Sequence, residues 1–124
     1  MYDVIVDVEQ SQDHDLAWKA LADPTRRKIL ELLSDKDLTP THLLKSFSIS
    51  QPSLSSHLRI LHSSCLVNKQ KHGKNWLYII NRNKIQEIRR YMDNFERKIR
   101  FAEIMQEKMA TSLKESLEVR GDTK

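Results

Sequence analysis

Apolar positions recur along this chain in rhythms that change at identifiable residues. Leu16, Ala17, Ala20 and Leu21 fall on one face of a helix, and so do Ile29, Leu30 and Leu33. Between the two runs stands Asp23-Pro24. It predicts a helix start, with aspartate as the cap and proline at the first helical position, where its missing N–H costs nothing. The first helix is expected from His14, after a Gln10-Ser11-Gln12-Asp13 linker, with Trp18 on its flank.

From Thr39 to Ser63 the helical rhythm continues in two shorter pieces. Pro40 opens a short helix expected to bury Leu43, Leu44 and Phe47. Ser48-Ile49-Ser50 is a tight link with Ile49 turned inward. Ser50 then caps a second helix, Pro52 sits in its first turn, and Leu54, Leu58 and Leu61 form its buried stripe. Two short helices joined this way make a helix-turn-helix unit.

Past Ser63 the pattern becomes that of strands: a β-prone run at Val67, a turn around Gly73, and a second run from Trp76 to Ile80. From Lys84 it is helical again, with Ile85, Ile88, Met92, Phe95, Ile99, Ala102, Met105, Met109, Leu113 and Leu117 three or four residues apart. No glycine or proline interrupts before Gly121. Such a helix is longer than a small domain can cover, so its outer part needs a second chain. Met1 to Glu9 alternates through Tyr2, Val4, Val6 and Val8, with Ile5 out of step. An edge strand, an arm on a partner subunit and an unstructured terminus all fit that stretch. The expected organisation is an arm at 1–13, a domain at 14–83, a dimerisation helix at 84–120 and a tail at 121–124. The fold class is mainly α with a small β-hairpin: a winged helix-turn-helix with a long C-terminal helix.

Composition narrows the function. A length of 124 residues fits one domain, and two glycines and three prolines favour helix over loop. Lys and Arg number 21 against 17 Asp and Glu, a net charge of +4, so the placement of charge matters more than its sum. The single cysteine, Cys65, excludes an internal disulfide and a cysteine-cluster zinc site. No apolar run reaches membrane-spanning length and no signal peptide is visible, which predicts a cytoplasmic protein without membrane contact. There is no Gly-rich phosphate loop, nucleophile elbow or cluster of metal ligands. The five histidines are scattered, and His57 and His62 do not share a helix face. No enzyme activity, cofactor or metal is expected.

What remains is a binding surface. The outer face of the second helix carries Gln51, Ser53, Ser55, Ser56 and Arg59. Short side chains allow close approach to a groove, and Gln and Arg have the fork geometry that reads adenine and guanine edges. The hairpin tip carries Lys71, His72 and Lys74, with Lys69 nearby, as a basic wing beside a reader helix would. Arg26, Arg27 and Lys28 lie in the first turns of their helix and oppose its macrodipole. They point to a partner outside the helix, a phosphate or an acidic side chain, unless they are solvated. A protein-docking module built on the same helices is the competing function. The polar reader face and the basic tip favour DNA over it.

Ala22-Asp23-Pro24-Thr25-Arg26-Arg27-Lys28-Ile29-Leu30-Glu31-Leu32-Leu33 resembles the opening of the arsenic-repressor-like (ArsR/SmtB) winged-helix regulators. So does Ser50-Gln51-Pro52-Ser53-Leu54-Ser55-Ser56-His57-Leu58-Arg59-Ile60-Leu61, followed by Leu66-Val67 and the hairpin. The resemblance runs from Leu16 to Asn81. It implies a homodimeric transcription repressor on a palindromic double-stranded DNA operator. It places Gln51, Ser53, Ser55 and Ser56 at the major groove and His57 near the DNA-side end of the helix. Thr41, on the preceding helix, joins the expected DNA-contacting set. Ser56 departs from a position often held by arginine. Thr39-Pro40-Thr41 stands where metal-sensing members carry Cys-x-Cys, and the last helix has no histidine, so a member that does not sense metal is implied. Cys65 is expected to be a small, partly buried apolar side chain and not a sensor thiol.

Overall fold

The computed structural model describes residues 14–122, with side chains through Glu118. The expected arm at Met1 to Glu9 lies outside the described residues. Residues 14–21 are helical (α1), followed by α2 (Pro24–Asp35), α3 (Pro40–Leu44) and α4 (Gln51–Ser63). A hairpin of β1 (Val67–His72) and β2 (Asn75–Ile80) follows, and then α5 (Arg82–Asp122).

Three helix starts use one local device. Asp23 Oδ2 accepts the Arg26 N–H at 3.1 Å, Thr39 Oγ1 accepts that of His42 at 3.3 Å, and Ser50 Oγ accepts that of Ser53 at 3.2 Å. In each helix a proline occupies the first or second position. Each cap contributes about 1 kcal/mol by satisfying a backbone donor that has no partner within the helix.

The end of α4 is equally defined. The Cys65 N–H donates to His62 O at 3.1 Å and the Leu66 N–H to Leu61 O at 3.1 Å. This is the Schellman arrangement, which requires a left-handed residue at its apex. Cys65 takes that role with φ 65°, and its side chain is exposed, not partly buried as its sequence context suggests. A residue that must turn the chain out of a helix is held at the surface, while Leu66 after it is fully buried.

The strands pair antiparallel from Val67↔Ile80 to His72↔Asn75, leaving Gly73-Lys74 as a two-residue turn. Gly73 has φ +61°, and among the described residues Cys65 is the one non-glycine with positive φ. Positive φ at the first turn position alone is the II′ pattern. Tyr78 of β2 also exchanges two backbone hydrogen bonds with Leu38, at 2.8 and 3.2 Å, which ties the hairpin to the segment before α3.

The first compact unit extends to Gln86. Its core gathers Ala17 and Ala20 of α1, Ile29, Leu30 and Leu33 of α2, Leu43 of α3, and Leu54, Leu58 and Leu61 of α4. Leu66, Val67 and Tyr78 complete it. Leu44, Phe47 and Ile49 are only half-buried. A five-residue helix turns little more than once, so it presents one residue, Leu43, squarely to the core. Leu16 of α1 is 47% exposed.

Helix α5 begins at Arg82, two residues before the periodicity suggests, because Asn81 caps it. Asn81 Oδ1 accepts the Lys84 N–H at 3.3 Å while its Nδ2 donates to Cys65 O at 2.8 Å. The second unit, from Glu87 on, is the rest of this 41-residue helix. Along it Met92, Phe95, Ile99, Met105, Met109, Leu113 and Leu117 are exposed. Arg89–Asp93 at 3.7 Å and Arg100–Glu96 at 2.9 Å are ion pairs four residues apart on its surface.

Candidate nucleic-acid interface

Burial of Leu54, Leu58 and Leu61 fixes which side of α4 faces outward. That side presents Gln51, Ser55, Ser56 and Arg59, all exposed, and none of their side chains bonds to another described residue. Ser53 lies at the flank, half-buried, with its N–H engaged by the Ser50 cap. Ile60, 40% exposed, stands among the polar residues. It is a further member of this face, outside the expected set, although its failure to fit the Leu54–Leu58–Leu61 stripe marks it. An apolar side chain there suits a thymine methyl group. Thr41 is exposed on α3, in the unit's other short helix.

The hairpin holds Lys71, His72 and Lys74 exposed, but not on one face. Side chains alternate along a strand, so Lys69 and Lys71 share one face and His72 takes the other. Lys69 Nζ lies 4.8 Å and Lys71 Nζ 5.5 Å from the centroid of the Trp76 ring. Trp76, 40% exposed, therefore organises two cations on the wing. Lys69 and Trp76 belong with the candidate surface.

A signal for this surface is present in the sequence. From Leu38 to Gln86 there is no Asp or Glu. That segment contains Lys45, Arg59, Lys69, Lys71, Lys74, Arg82 and Lys84, so it carries +7. The remaining 14 basic and 17 acidic residues give −3. The modest total hides a basic segment that covers α3, α4 and the wing.

The hydrogen bonds of the Arg26 and Arg27 guanidinium groups go mainly to backbone carbonyls. Arg26 Nε donates to Ala20 O at 2.7 Å and its Nη2 to Lys19 O at 3.1 Å, and Arg27 Nη1 donates to Leu21 O at 2.8 Å. Arg26 and Arg27 thus satisfy the open carbonyls at the end of α1, where positive charge is favoured, while Lys28 Nζ lies 3.9 Å from the Glu31 carboxylate. His57 is drawn into the same corner and away from the exposed face of α4. Its Nδ1 lies 3.3 Å from Arg26 Nη1 and 3.8 Å from Asp23 Oδ2. Partial burial raises the Asp23 pKa. The Arg26 N–H, the His57 and Arg26 side chains and the Thr25 N–H outweigh it and hold the carboxyl below its usual 3.8.

Among the described residues no three His, Cys, Asp or Glu side chains converge as a metal site would require. Thr39 Oγ1, at the position of the Thr-Pro-Thr sequence, is 2.8 Å from His42 Nδ1. No helix is long and apolar enough to cross a membrane among the described residues.

Helices α3 and α4, the hairpin and the outward polar face define a winged helix-turn-helix DNA-binding transcriptional regulator. Residues 23–69 match the model of the bacterial regulatory protein arsR family. The chain is 40% identical over 78 residues to the transcriptional repressor SdpR of Bacillus subtilis (strain 168), spanning 63% of this chain and 87% of that one. It is 39% identical over 75 residues to an arsenical resistance operon repressor of Staphylococcus xylosus, spanning 60% and 72%. An ArsR-like transcriptional regulator from Rhodococcus sp. RHA1 superposes with a TM-score of 0.68 and 25% identity over 79% of this chain and 94% of that one. The chain belongs to the arsR family of bacterial regulators.

Proposed function

We propose that the chain is a homodimeric transcriptional repressor that inserts α4 into the major groove and lays its hairpin on the backbone or in the minor groove. The observation that carries this reading is the exposed, unengaged polar face of α4 within a segment that has no acidic residue. In this reading Gln51, Ser53, Ser55, Ser56 and Arg59 meet base edges, joined by Ile60. Thr41, Lys69, Lys71, His72 and Lys74 meet the backbone. A second copy supplies a second reader helix, and two-fold symmetry matches a palindromic operator with half-sites roughly 34–36 Å apart. The protein acts on DNA in the cytoplasm and needs no cofactor or enzymatic step.

The test is to let the wild-type chain select duplexes from a random library and compare a selected duplex with a scrambled one. Arg59→Ala and Gln51→Ala are each expected to cost about 1–3 kcal/mol on the selected duplex and little on the scrambled one. Equal losses on both would reassign these side chains to phosphate contact.

In the same reading the inducing signal is not a metal ion. Thiolates are the ligands for soft metals, and this chain has one cysteine and two threonines where a pair of thiolates would be needed. Zinc, nickel, cadmium or arsenite should leave the complex with the selected duplex intact. Release at micromolar free ion, reversed by a chelator, would overturn this.

A further inference from the structure

His57 belongs to the reader helix, yet it is turned toward α1 and α2, and its side chain is only 18% exposed. The other inward groups of α4 are leucines. Apolar burial is non-directional, so a leucine stripe sets which side of a helix faces outward but not its fine rotation and sliding, whereas base contacts need placement within about 0.5 Å. A hydrogen bond on the buried side supplies direction. Arg26 is suited to give it, because its planar guanidinium is already fixed at two corners by Ala20 O and Lys19 O. The third corner, Nη1, meets His57 Nδ1 at 3.3 Å. Guanidinium has only donors, so this contact is a hydrogen bond when Nδ1 accepts and the imidazole proton is on Nε2. Asp23, which caps α2 through the Arg26 N–H, lies 3.8 Å from the same nitrogen.

We infer that His57 is a positioning residue: through Arg26 it fixes the setting of α4 on the α1–α2 corner and thereby sharpens sequence discrimination without touching DNA. This rests on the proposed role of α4 as the reader helix. It assigns His57 differently from the family resemblance, which places it near the DNA-side end of the helix and so in the expected DNA-binding set.

The experiment uses the full chain with a duplex selected by the wild type and a scrambled duplex of equal length, followed by reselection with each variant. His57→Ala should lower affinity for the selected duplex roughly ten-fold, the size of the penalty for one mismatched base pair, while scrambled-duplex affinity and salt slope stay unchanged. Reselection should show relaxed preference across the whole half-site. His57→Gln, which keeps an acceptor, should recover most of the discrimination. Arg26→Gln should reproduce the loss although it lies on another helix, and combining it with His57→Ala should add nothing. Relaxation at one base pair alone would make His57 a base contact and overturn the inference. So would a parallel loss on both duplexes with a salt slope smaller by about 0.9, the mark of a phosphate contact. Wild-type discrimination in His57→Ala or in Arg26→Gln, or additive losses in the double variant, would overturn it too. If the wild type enriches no duplex, the reader-helix assignment itself falls first, before any variant is compared.

Discussion

Cys65 bears a conformational strain that glycine would not. Its φ of 65° is the left-handed region, which costs an L-residue about 1–2 kcal/mol. The position tolerates this because two hydrogen bonds close the end of α4 around it and Asn81 holds its carbonyl at 2.8 Å. Cys65→Gly removes the strain and gives back part of it as unfolded-chain entropy, so a net gain of roughly 0.5–1 kcal/mol is expected. Urea unfolding should show a higher midpoint at unchanged slope, and Cys65→Val a lower one. A lower midpoint for the glycine variant would mean that the thiol makes a contact worth more than the strain. At this scale the sequence was legible wherever the cause is local. Asp23-Pro24, Thr39-Pro40 and Ser50-Gln51-Pro52 announce helix starts, because cap and proline act on the three residues that follow. Arg26 and His57 were not legible. Their partners lie 6 and 31 residues away, and which carbonyl or imidazole an arginine reaches depends on how the helices meet.

The hairpin shows the same division at the scale of an element. Its existence follows from two β-prone runs around Gly73, and its register follows from a two-residue II′ turn. Strand alternation then separates Lys71 from His72 and pairs Lys71 with Lys69, a grouping that nearness in sequence does not reveal. The wing's contribution to binding is expected to be electrostatic. Removing a cation that neutralises one phosphate lowers the slope of log affinity against log salt by about 0.9, so Lys71→Ala with Lys74→Ala should lower it by about 1.8. Adding Lys69→Ala should lower it by about a further 0.9, because that ammonium shares the Trp76 ring with Lys71. Binding titrations on the scrambled duplex from low to moderate salt measure this directly. A slope unchanged in the triple variant would place the hairpin away from DNA.

For the whole molecule the question is what the outer part of α5 is for. A helix of 41 residues runs on the order of 60 Å, and from Met92 to Leu117 its apolar side chains stand in solvent. Contiguous apolar surface on that scale marks an interface. From Ile88 to Ala102 the steps alternate four and three residues, the seam of a two-stranded coil. From Met105 to Leu117 every step is four, which rotates the stripe by about 40° per step away from that seam. The exposed part of the first stretch, from Met92 on, is therefore the part we assign to pairing with a second copy, and Ile99, 59% exposed, lies within it, whereas Ile88 is already buried within the chain. Ile99→Glu should place a carboxylate in the seam, convert a dimer to a monomer in sedimentation, and abolish cooperative engagement of two half-sites. The fold of residues 14–86 should survive, since Ile99 takes no part in the core of that unit. The comparison is Leu117→Glu, on the stretch where the stripe has turned, which should weaken the dimer less than Ile99→Glu does. If Ile99→Glu sediments as the wild type does, pairing through this seam is wrong, and the exposed Leu16 of α1 becomes the next place to look for the contact between copies.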